Sequence, residues 1–284
     1  GQALDWFIRT QATLIAAHDV VVMVDADMRI DRHLFRAFAE AFAWDTVHVA
    51  QALNTVSEPA RDWRSALGFA SFQLVNHVRP AGRCALGGTG ELKGSGMAFR
   101  SELLQRYGWP AHGVTEDIEF SKRLLLDGIR VHYVPRARVT SPIPETRAQA
   151  AVQQQRWESG KLGVLLRFGP VFIGRLRVVK HPRYLDALLD ALVPPVSLYV
   201  VGVMLVGGLG ALVHPVLPAA MAGAGAVLVV AVVTGLVAGR APVVTWLYLG
   251  AAPLFIAWKL PLLVGAALRR GGPWQRTPRR EEAD

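Results

Sequence analysis

Two aspartates spaced two residues apart are the first candidates for chemistry in this sequence. The segment "VDADMRI" (24–30) puts Asp25 and Asp27 directly after the apolar run "VVVMV" (20–24), which is typical of a buried strand. Open α/β sheets bind ligands at the carboxyl ends of their strands. Two carboxylates there suit Mg²⁺ or Mn²⁺, which commonly bridges to a diphosphate. The alternative is structural, because aspartate often ends a strand and caps the next helix.

A second acidic motif, Thr115-Glu116-Asp117, opens the segment "VTEDIEFSKRLLLDG" (114–128). This segment is predicted to be a helix with Thr115 as its N-cap and Gly128 as its stop. The helix dipole favours an ionised acid at the N-terminus, so an acid here could act as a general base toward a hydroxyl group. The alternative is that threonine and acids simply begin the helix.

The third candidate is "QQQRW" (153–157), on a helix predicted to begin at Glu145. Arg156 could neutralise a diphosphate, Gln153 could hydrogen-bond a phosphate or hydroxyl, and Trp157 could support the C–H face of a sugar ring. The alternative is an amphipathic helix at a membrane surface, with the tryptophan among the lipid headgroups and the arginine reaching toward water.

A glycine-rich segment, "KGSGMAFR" (93–100), precedes a predicted strand. Gly94 and Gly96 would let the backbone approach a ligand closely, and Ser95 adds a hydroxyl. A tight turn before the strand explains the same residues equally well.

The elements around these motifs alternate between strand and helix. Apolar spacing predicts helices over 4–18, 33–42 and 63–79, and strands over 20–24, 46–53 and 129–135. This order predicts an α/β domain with a mainly parallel sheet and flanking helices.

The second half of the chain is apolar enough to enter a bilayer. The basic, apolar segment 167–183 is predicted to lie in the headgroup layer, and 187–213 and 219–239 are each long enough to cross. A third stretch, 243–268, contains Pro253 and Pro261 and could cross, kink or re-enter. Basic residues precede the first two stretches and follow the second, whereas the loop between them has none. The positive-inside rule therefore predicts a cytoplasmic α/β domain.

Composition agrees with a membrane partner. The net charge of +9 suits nucleic acid, an anionic membrane or a phosphorylated substrate. Because the basic residues of the second half flank apolar runs, we expect membrane lipids as partners and no nucleic acid. A single cysteine, Cys84, excludes an intrachain disulfide. The opening "GQALDWFIRT" indicates that the N-terminal part of a longer domain is missing.

The order of the motifs resembles that of family 2 glycosyltransferases of GT-A fold, in particular the membrane-bound relatives of cellulose, chitin and hyaluronan synthases. The resemblance extends to "KGSGMAFR" as a glycine-rich acceptor-side segment and to the tail "WQRTPR" (274–279). It implies a nucleotide-sugar donor, with a UDP-sugar expected, and a lipid-linked or glycan acceptor.

The resemblance also implies roles for single residues. Asp25 and Asp27 would hold a Mg²⁺ or Mn²⁺ ion and the donor diphosphate. Asp117 would be the catalytic base, with Glu116 beside it.

The helix motif carries further implied roles. Gln153 and Arg156 would contact the donor diphosphate and Trp157 the acceptor, together with the segment Gly94-Ser95-Gly96. The expected domains are a truncated catalytic domain (1–147), the motif and interfacial helices (148–186), membrane segments (187–268) and a basic tail (269–284).

The predicted function is inverting sugar transfer at the cytoplasmic face of a bacterial inner membrane. Two alternatives remain at this point: a subunit of a membrane transporter or channel, and a non-catalytic partner that serves assembly. Lys259 is the one candidate for an intramembrane charge that a transporter could use.

Overall fold

The computed structural model describes residues 1–111, 113, 115–142 and 147–268; the predicted tail 269–284 lies outside these ranges. The first part forms one sheet with helices packed on its faces. The strands are β1 (Val20–Met23), β2 (Arg29–Ile30), β3 (Val49–Val56), β4 (Met97–Arg100) and β5 (Val131–Ser141). The helices of this part are α1 (Gln2–Thr10), α2 (Ala12–Ala16), α3 (Leu34–Phe42), α4 (Trp63–Gln73), α5 (Arg79–Ala85), α6 (Ser101–Tyr107) and α7 (Glu116–Leu126).

The strand order in the sheet is β1-β4-β3-β5-β2. β3 pairs with β5 in parallel, and the other three pairings are antiparallel. Strands β1, β3 and β5 therefore share one direction and β2 and β4 run opposite to them, so the sheet is mixed rather than mainly parallel as expected. The expected α/β class is confirmed.

The strand predicted over 46–53 begins later because Val47 N–H bonds to Trp44 O in a turn, and pairing starts only at Val49. β5 continues past its predicted end at Pro135 because the register with β3 shifts between Ala52 and Leu53. The irregularity accommodates a proline that could not donate to a regular ladder.

The helix predicted over 63–79 is three elements in the structure. α4 widens into a π-helical turn, Leu74–Val78, and α5 then continues to Ala85. Pro80 is the second residue after the π turn and has no N–H to give to the helix ladder. A local change of helix type next to a proline satisfies the backbone differently, which the apolar spacing alone did not reveal.

An aromatic cluster fixes α7 against the sheet. The rings of Phe99 and Trp109 lie 6.0 Å apart, those of Trp109 and Phe120 lie 5.0 Å apart, and all three side chains are buried. Phe99 lies on β4 and Phe120 on α7, so this packing determines where the start of α7 lies relative to the strand ends.

The second part is helical. It contains α8 (Arg147–Val178), α9 (Pro182–Leu192), α10 (Val196–Gly210), α11 (Val216–Ala238), α12 (Val243–Tyr248) and α13 (Ala252–Leu268), with a 3₁₀ turn at Leu249–Ala251. α8 is continuous from the motif "QQQRW" into the basic segment, and α9 crosses the predicted boundary at 187.

The apolar stretch 187–213 is not one straight helix, contrary to its treatment as a single stretch. α9 and α10 meet at an angle of 80° at the break containing Pro194 and Pro195. Two helical segments, Val216–Ala238 and Val243–Pro261, have the length and composition to cross a membrane, and the bent pair would make three if it counted as one span.

Candidate active site

The two aspartates of the first motif lie in a turn directly after β1. Asp25 O accepts a hydrogen bond from Met28 N–H at 3.1 Å, which closes the turn, and both aspartates are exposed. The backbone N–H of Asp25 donates to Oγ of Ser95 at 3.1 Å. The structure thus joins the first motif to the glycine-rich segment, 70 residues later in the chain.

The glycine-rich segment is a tight turn that needs both glycines. Gly94 has φ of 79° and Gly96 has φ of 70°, in the region that side chains disfavour. At Gly96, a Cβ would lie 3.0 Å from both Ala52 Cβ and Val139 Cγ2, so the backbone also lies tightly on the sheet. At Gly94, a Cβ would lie 3.6 Å from Oδ2 of Asp117.

The buried side chain of Gln51, on β3, makes two hydrogen bonds to the backbone of this turn. Its Nε2 donates to the carbonyl oxygen of Ser95 at 2.9 Å, and its Oε1 accepts from Lys93 N–H at 2.9 Å. The turn is therefore anchored to the centre of the sheet. Sequence analysis missed Gln51, although an amide side chain between the apolar Ala50 and Ala52 of a predicted strand was a signal for it.

Asp117 is half-buried in the first turn of α7 and faces the glycine turn. Its Oδ1 accepts from Ile118 N–H at 2.9 Å. Burial raises its pKa to about 6, opposed by the Ile118 hydrogen bond and by the charge of Lys93, and supported by Glu91 and Glu116. A carboxyl group that titrates near neutral pH is suited to general base catalysis. The position of Asp117 at a helix N-terminus predicted an ionised acid stabilised by the helix dipole, whereas burial has the larger effect on its pKa.

Ser121 ties α7 to the same segment. Its buried hydroxyl donates to Asp117 O at 2.9 Å and accepts from Leu92 N–H at 2.8 Å. The turn of helix that carries Asp117 is thus bonded to the segment that leads into the glycine turn. Nothing in the sequence marked this serine.

The other members of the second motif have different surroundings. Glu116 Oε2 lies 2.5 Å from the amino nitrogen of Gly1, so this carboxylate pairs near α1. Thr115 occupies the N-cap position of α7, as predicted, but its side chain makes no capping hydrogen bond. Its methyl group instead packs against Gly160 of α8. A Cβ added to Gly160 would be only 2.2 Å from Thr115 Cγ2.

The third motif lies on α8, one turn before that contact. Trp157 is half-buried, and its ring lies 6.0 Å from the ring of Phe72 on α4. Gln153 is half-buried one turn earlier, on the same face. Arg156 belongs to the same helix, and its side chain lies outside the described residues. The Gly160 contact brings the motif helix to the start of α7.

The aspartate pair is chemically suited to hold a divalent ion together with a diphosphate. In the described part of the chain, no group of three or more His, Cys, Asp or Glu side chains could hold a metal ion alone. Mg²⁺ is commonly held by one or two carboxylates plus substrate phosphates, and the exposed pair Asp25 and Asp27 fits that arrangement.

The chain was compared with known families and proteins. A family model described as "Glycosyl transferase family group 2" matches residues 20–267. Poly-beta-1,6-N-acetyl-D-glucosamine synthase of Staphylococcus aureus is 27% identical over 176 residues, which cover 60% of this chain and 41% of that protein. Beta-monoglucosyldiacylglycerol synthase of Synechocystis sp. is 28% identical over 148 residues, which cover 50% of this chain and 30% of that protein.

Among solved structures, the mannosyltransferase PcManGT from Pyrobaculum calidifontis, in complex with GDP-Man and Mn²⁺, matches with a TM-score of 0.42 and 18% identity. That match covers 92% of this chain and 65% of the other. The chain spans less than half the length of either curated relative.

Proposed function

The chain belongs to glycosyl transferase family group 2, and on that premise we propose that it transfers a sugar from a nucleotide-sugar donor, with inversion at the anomeric carbon. The observation that carries the proposal is the glycine turn, which contacts the backbone of Asp25 on one side and faces the Asp117 carboxylate on the other. Motifs from distant parts of the sequence therefore meet at one point, with a base whose pKa is near neutral.

In the proposed reaction, Asp117 accepts the proton of the acceptor hydroxyl as its oxygen attacks the anomeric carbon. The leaving group is a nucleoside diphosphate on the opposite face of the sugar, with a UDP-sugar as the expected donor. Asp25 and Asp27 would hold a Mg²⁺ or Mn²⁺ ion, which when bound supplies positive charge to the leaving diphosphate. Gln153 and Arg156 would contact the same diphosphate.

Trp157 would hold the acceptor sugar, with Gly94, Ser95 and Gly96 lining the acceptor side of the turn. Half-burial of Trp157 beside Phe72 leaves part of an aromatic face for a sugar ring. Orientation of the hydroxyl toward Asp117 is what such a contact would contribute to the rate.

We further propose that the acceptor is a membrane-associated lipid-linked sugar or a glycan, and that transfer takes place at the cytoplasmic face of a bacterial inner membrane. The motif helix α8 runs without a break into a basic, apolar segment, and long apolar helices follow. One curated relative is named for a polysaccharide product and the other for a glycolipid product, which supports either acceptor class.

The test is transfer by the full-length protein in membrane vesicles, supplied with a panel of radiolabelled nucleotide sugars and Mg²⁺ or Mn²⁺. We expect label from one donor in a lipid-extractable or a polymeric product, which distinguishes the two acceptor classes. Inverted vesicles should use external donor and right-side-out vesicles should not. Donor-independent solute flux without any labelled product would contradict the proposal and favour a transporter.

A further inference from the structure

A lysine buried in α7 forms the centre of an ion network beside the proposed active site. Lys122 is 3% exposed, and it lies five residues after Asp117 in the same helix. Its Nζ lies 2.8 Å from Glu91 Oε1 and 3.3 Å from Asp190 Oδ2. A buried charge is tolerated only when it is paired, so loss of one member leaves the others unbalanced.

On one side, the network reaches the glycine turn. The second carboxylate oxygen of Glu91, Oε2, lies 2.6 Å from Nζ of Lys93. Lys93 directly precedes Gly94, and its backbone N–H is held by Gln51. The ammonium group of Lys93 is also close enough to Asp117 to act on it electrostatically. Glu91 thus connects Lys122 to Lys93, the residue directly before the glycine turn.

On the other side, the network reaches α9, which leads into the apolar helices. Asp190 pairs with Arg79 at 2.7 Å and with Arg83 at 2.8 Å, both on α5. One turn earlier, Asp186 pairs with Arg83 at 2.8 Å, and among the ion pairs of the described residues it makes none with Lys122. The two acids therefore dock the same helix, and Asp190 alone of the two contacts the lysine.

The outward face of α9 is apolar. Leu185, Leu189 and Leu192 are each about half exposed, at 46%, 54% and 54%, and lie along one side of the helix. The helix therefore turns its acids toward the protein and its leucines away from it. This arrangement, with acids facing the protein and leucines facing outward, suits a helix whose outer face contacts lipid at a membrane surface.

We propose that Asp190 and Lys122 are positioning residues, which act through Glu91 to hold Lys93 and the glycine turn in place beside Asp117. Docking of the lipid-facing helix α9 is then a condition for efficient transfer. This inference rests on the proposed function for its catalytic part, because the turn matters only if Asp117 is the base.

A purely structural role for these ion pairs makes a different prediction. If the acids only fasten α9 to α5, neither Asp186→Asn nor Asp190→Asn should change the glycine turn, even though Asp190→Asn removes a partner from Arg79 as well as from Arg83. If the network positions the turn, Asp190→Asn should affect the turn and Asp186→Asn should not. The two acids lie one turn apart on α9 and share Arg83; Asp186 also accepts from Thr89 N–H at 3.4 Å, which lies before the segment to be measured.

The experiment uses the full-length protein in lipid nanodiscs. Hydrogen–deuterium exchange without substrate is measured for the segment 92–96 in the wild type and in both variants. We expect faster exchange of this segment in Asp190→Asn and unchanged exchange in Asp186→Asn. With a labelled nucleotide sugar, we expect kcat to fall about tenfold in Asp190→Asn with KM for the donor within about twofold, because small misplacements of catalytic groups are costly.

A third variant, Lys93→Met, keeps the test valid if Asp190→Asn does not fold. Lys93 is at the edge of the network, and Glu91 retains Lys122 as its partner. The charges that act on Asp117 are Lys93, Glu91 and Glu116, and Lys93 is the one that lowers its pKa. Loss of Lys93 should therefore raise the pKa of Asp117. In a plot of kcat/KM for sugar transfer against pH, the acidic limb should move to higher pH.

Equal behaviour of the two aspartate variants, or unchanged exchange of the turn in Asp190→Asn, would overturn the proposal. The proposal would also be overturned if Lys93→Met left the acidic limb of the pH–rate profile at the same pH. The exchange measurement needs no substrate, so it can support the positioning network even if no sugar transfer is found. In that case, the proposed function fails and the network remains as a structural link between α9 and the turn.

Discussion

Two carboxyl groups on either side of the same turn are in opposite electrostatic states. Asp117 faces Gly94, and burial raises its pKa to about 6. Glu91 lies between Lys93 and Lys122, which hold its pKa well below the usual range although burial opposes this. Both groups are removed from water, so the difference comes from their partners: Glu91 has two ammonium groups within hydrogen-bond distance, and Asp117 has a backbone N–H.

Because of this difference, Glu91 carries a permanent charge, whereas the charge of Asp117 can change. Paired as it is, Glu91 stays ionised and can only hold its neighbours in position. Asp117 can take up and release a proton near neutral pH, as a general base requires. Neighbouring acids whose environments move their pKa values apart commonly have different roles in catalysis. The comparison therefore assigns proton transfer to Asp117 and positioning to Glu91.

The largest expected effect tests the Asp117 side of the comparison. Asp117→Asn should lower kcat by about 10²–10⁴-fold, the range that a general base contributes. Donor affinity, measured by calorimetry with Mn²⁺, should remain nearly unchanged. Glu119→Gln is the control, because Glu119 lies in the same first turns of α7 and pairs with the exposed Arg167. Retained turnover in Asp117→Asn would refute the assignment of the base.

The same variant should not destabilise the fold at neutral pH. The folded-state pKa of Asp117 is raised from 3.8 to about 6, so the folded protein binds this proton more tightly than the unfolded chain does. The resulting stability is complete below pH 3.8 and is lost as the pH rises through about 6. Asp117→Asn should therefore have an unchanged or higher Tm at pH 7.5 by differential scanning fluorimetry. A large fall in Tm there would indicate a structural role instead.

A smaller effect is expected where the metal and donor would bind. Asp27→Ala should weaken Mn²⁺-dependent donor binding about 10–100-fold, by analogy with losses at metal sites whose supporting groups are changed. Because Asp27 is exposed, its removal should leave the Tm within a degree or so of the wild type. Isothermal calorimetry with and without Mn²⁺ measures this directly. An affinity unaffected by the variant would argue against metal binding by this pair.

The smallest change concerns the distance between α8 and α7. Gly160→Ala would place a methyl group 2.2 Å from Thr115 Cγ2, so the two helices must move apart. We expect kcat to fall about tenfold through displacement of the start of α7. Gly163→Ala is the matched control, because a Cβ there meets nothing within 4 Å. If both variants have equal turnover, the contact does not position Asp117.

Local patterns were sufficient to predict the α/β class and several of its strands and helices, but not β2 or α6. Apolar runs bounded by acids or glycines reveal a strand such as β1, and acids at a helix start reveal α7. The meeting of Asp25 with Ser95, and of Gly94 with Asp117, depends on how the strands are ordered in the sheet. That information is in long-range packing and not in the spacing of residues.

The least predictable residues were ordinary ones placed in special positions. Ser121 is one of many helix serines, and Gly160 is one of many glycines, until α7 and α8 are packed together. Asp190 lay within a stretch treated as an apolar crossing segment, and the 80° bend between α9 and α10 instead turns it toward Lys122. A buried pairing partner contributed by another helix leaves no mark in the local sequence.

The central claim is that Asp117 is a proton acceptor whose environment, unlike that of Glu91, keeps its pKa near neutral. The most direct measurement is the pH dependence of kcat/KM for sugar transfer by the full-length protein in nanodiscs. We expect an acidic limb with an apparent pKa of about 6, which moves to higher pH in Lys93→Met. A limb near pH 4, or a profile that Lys93→Met does not alter, would contradict it.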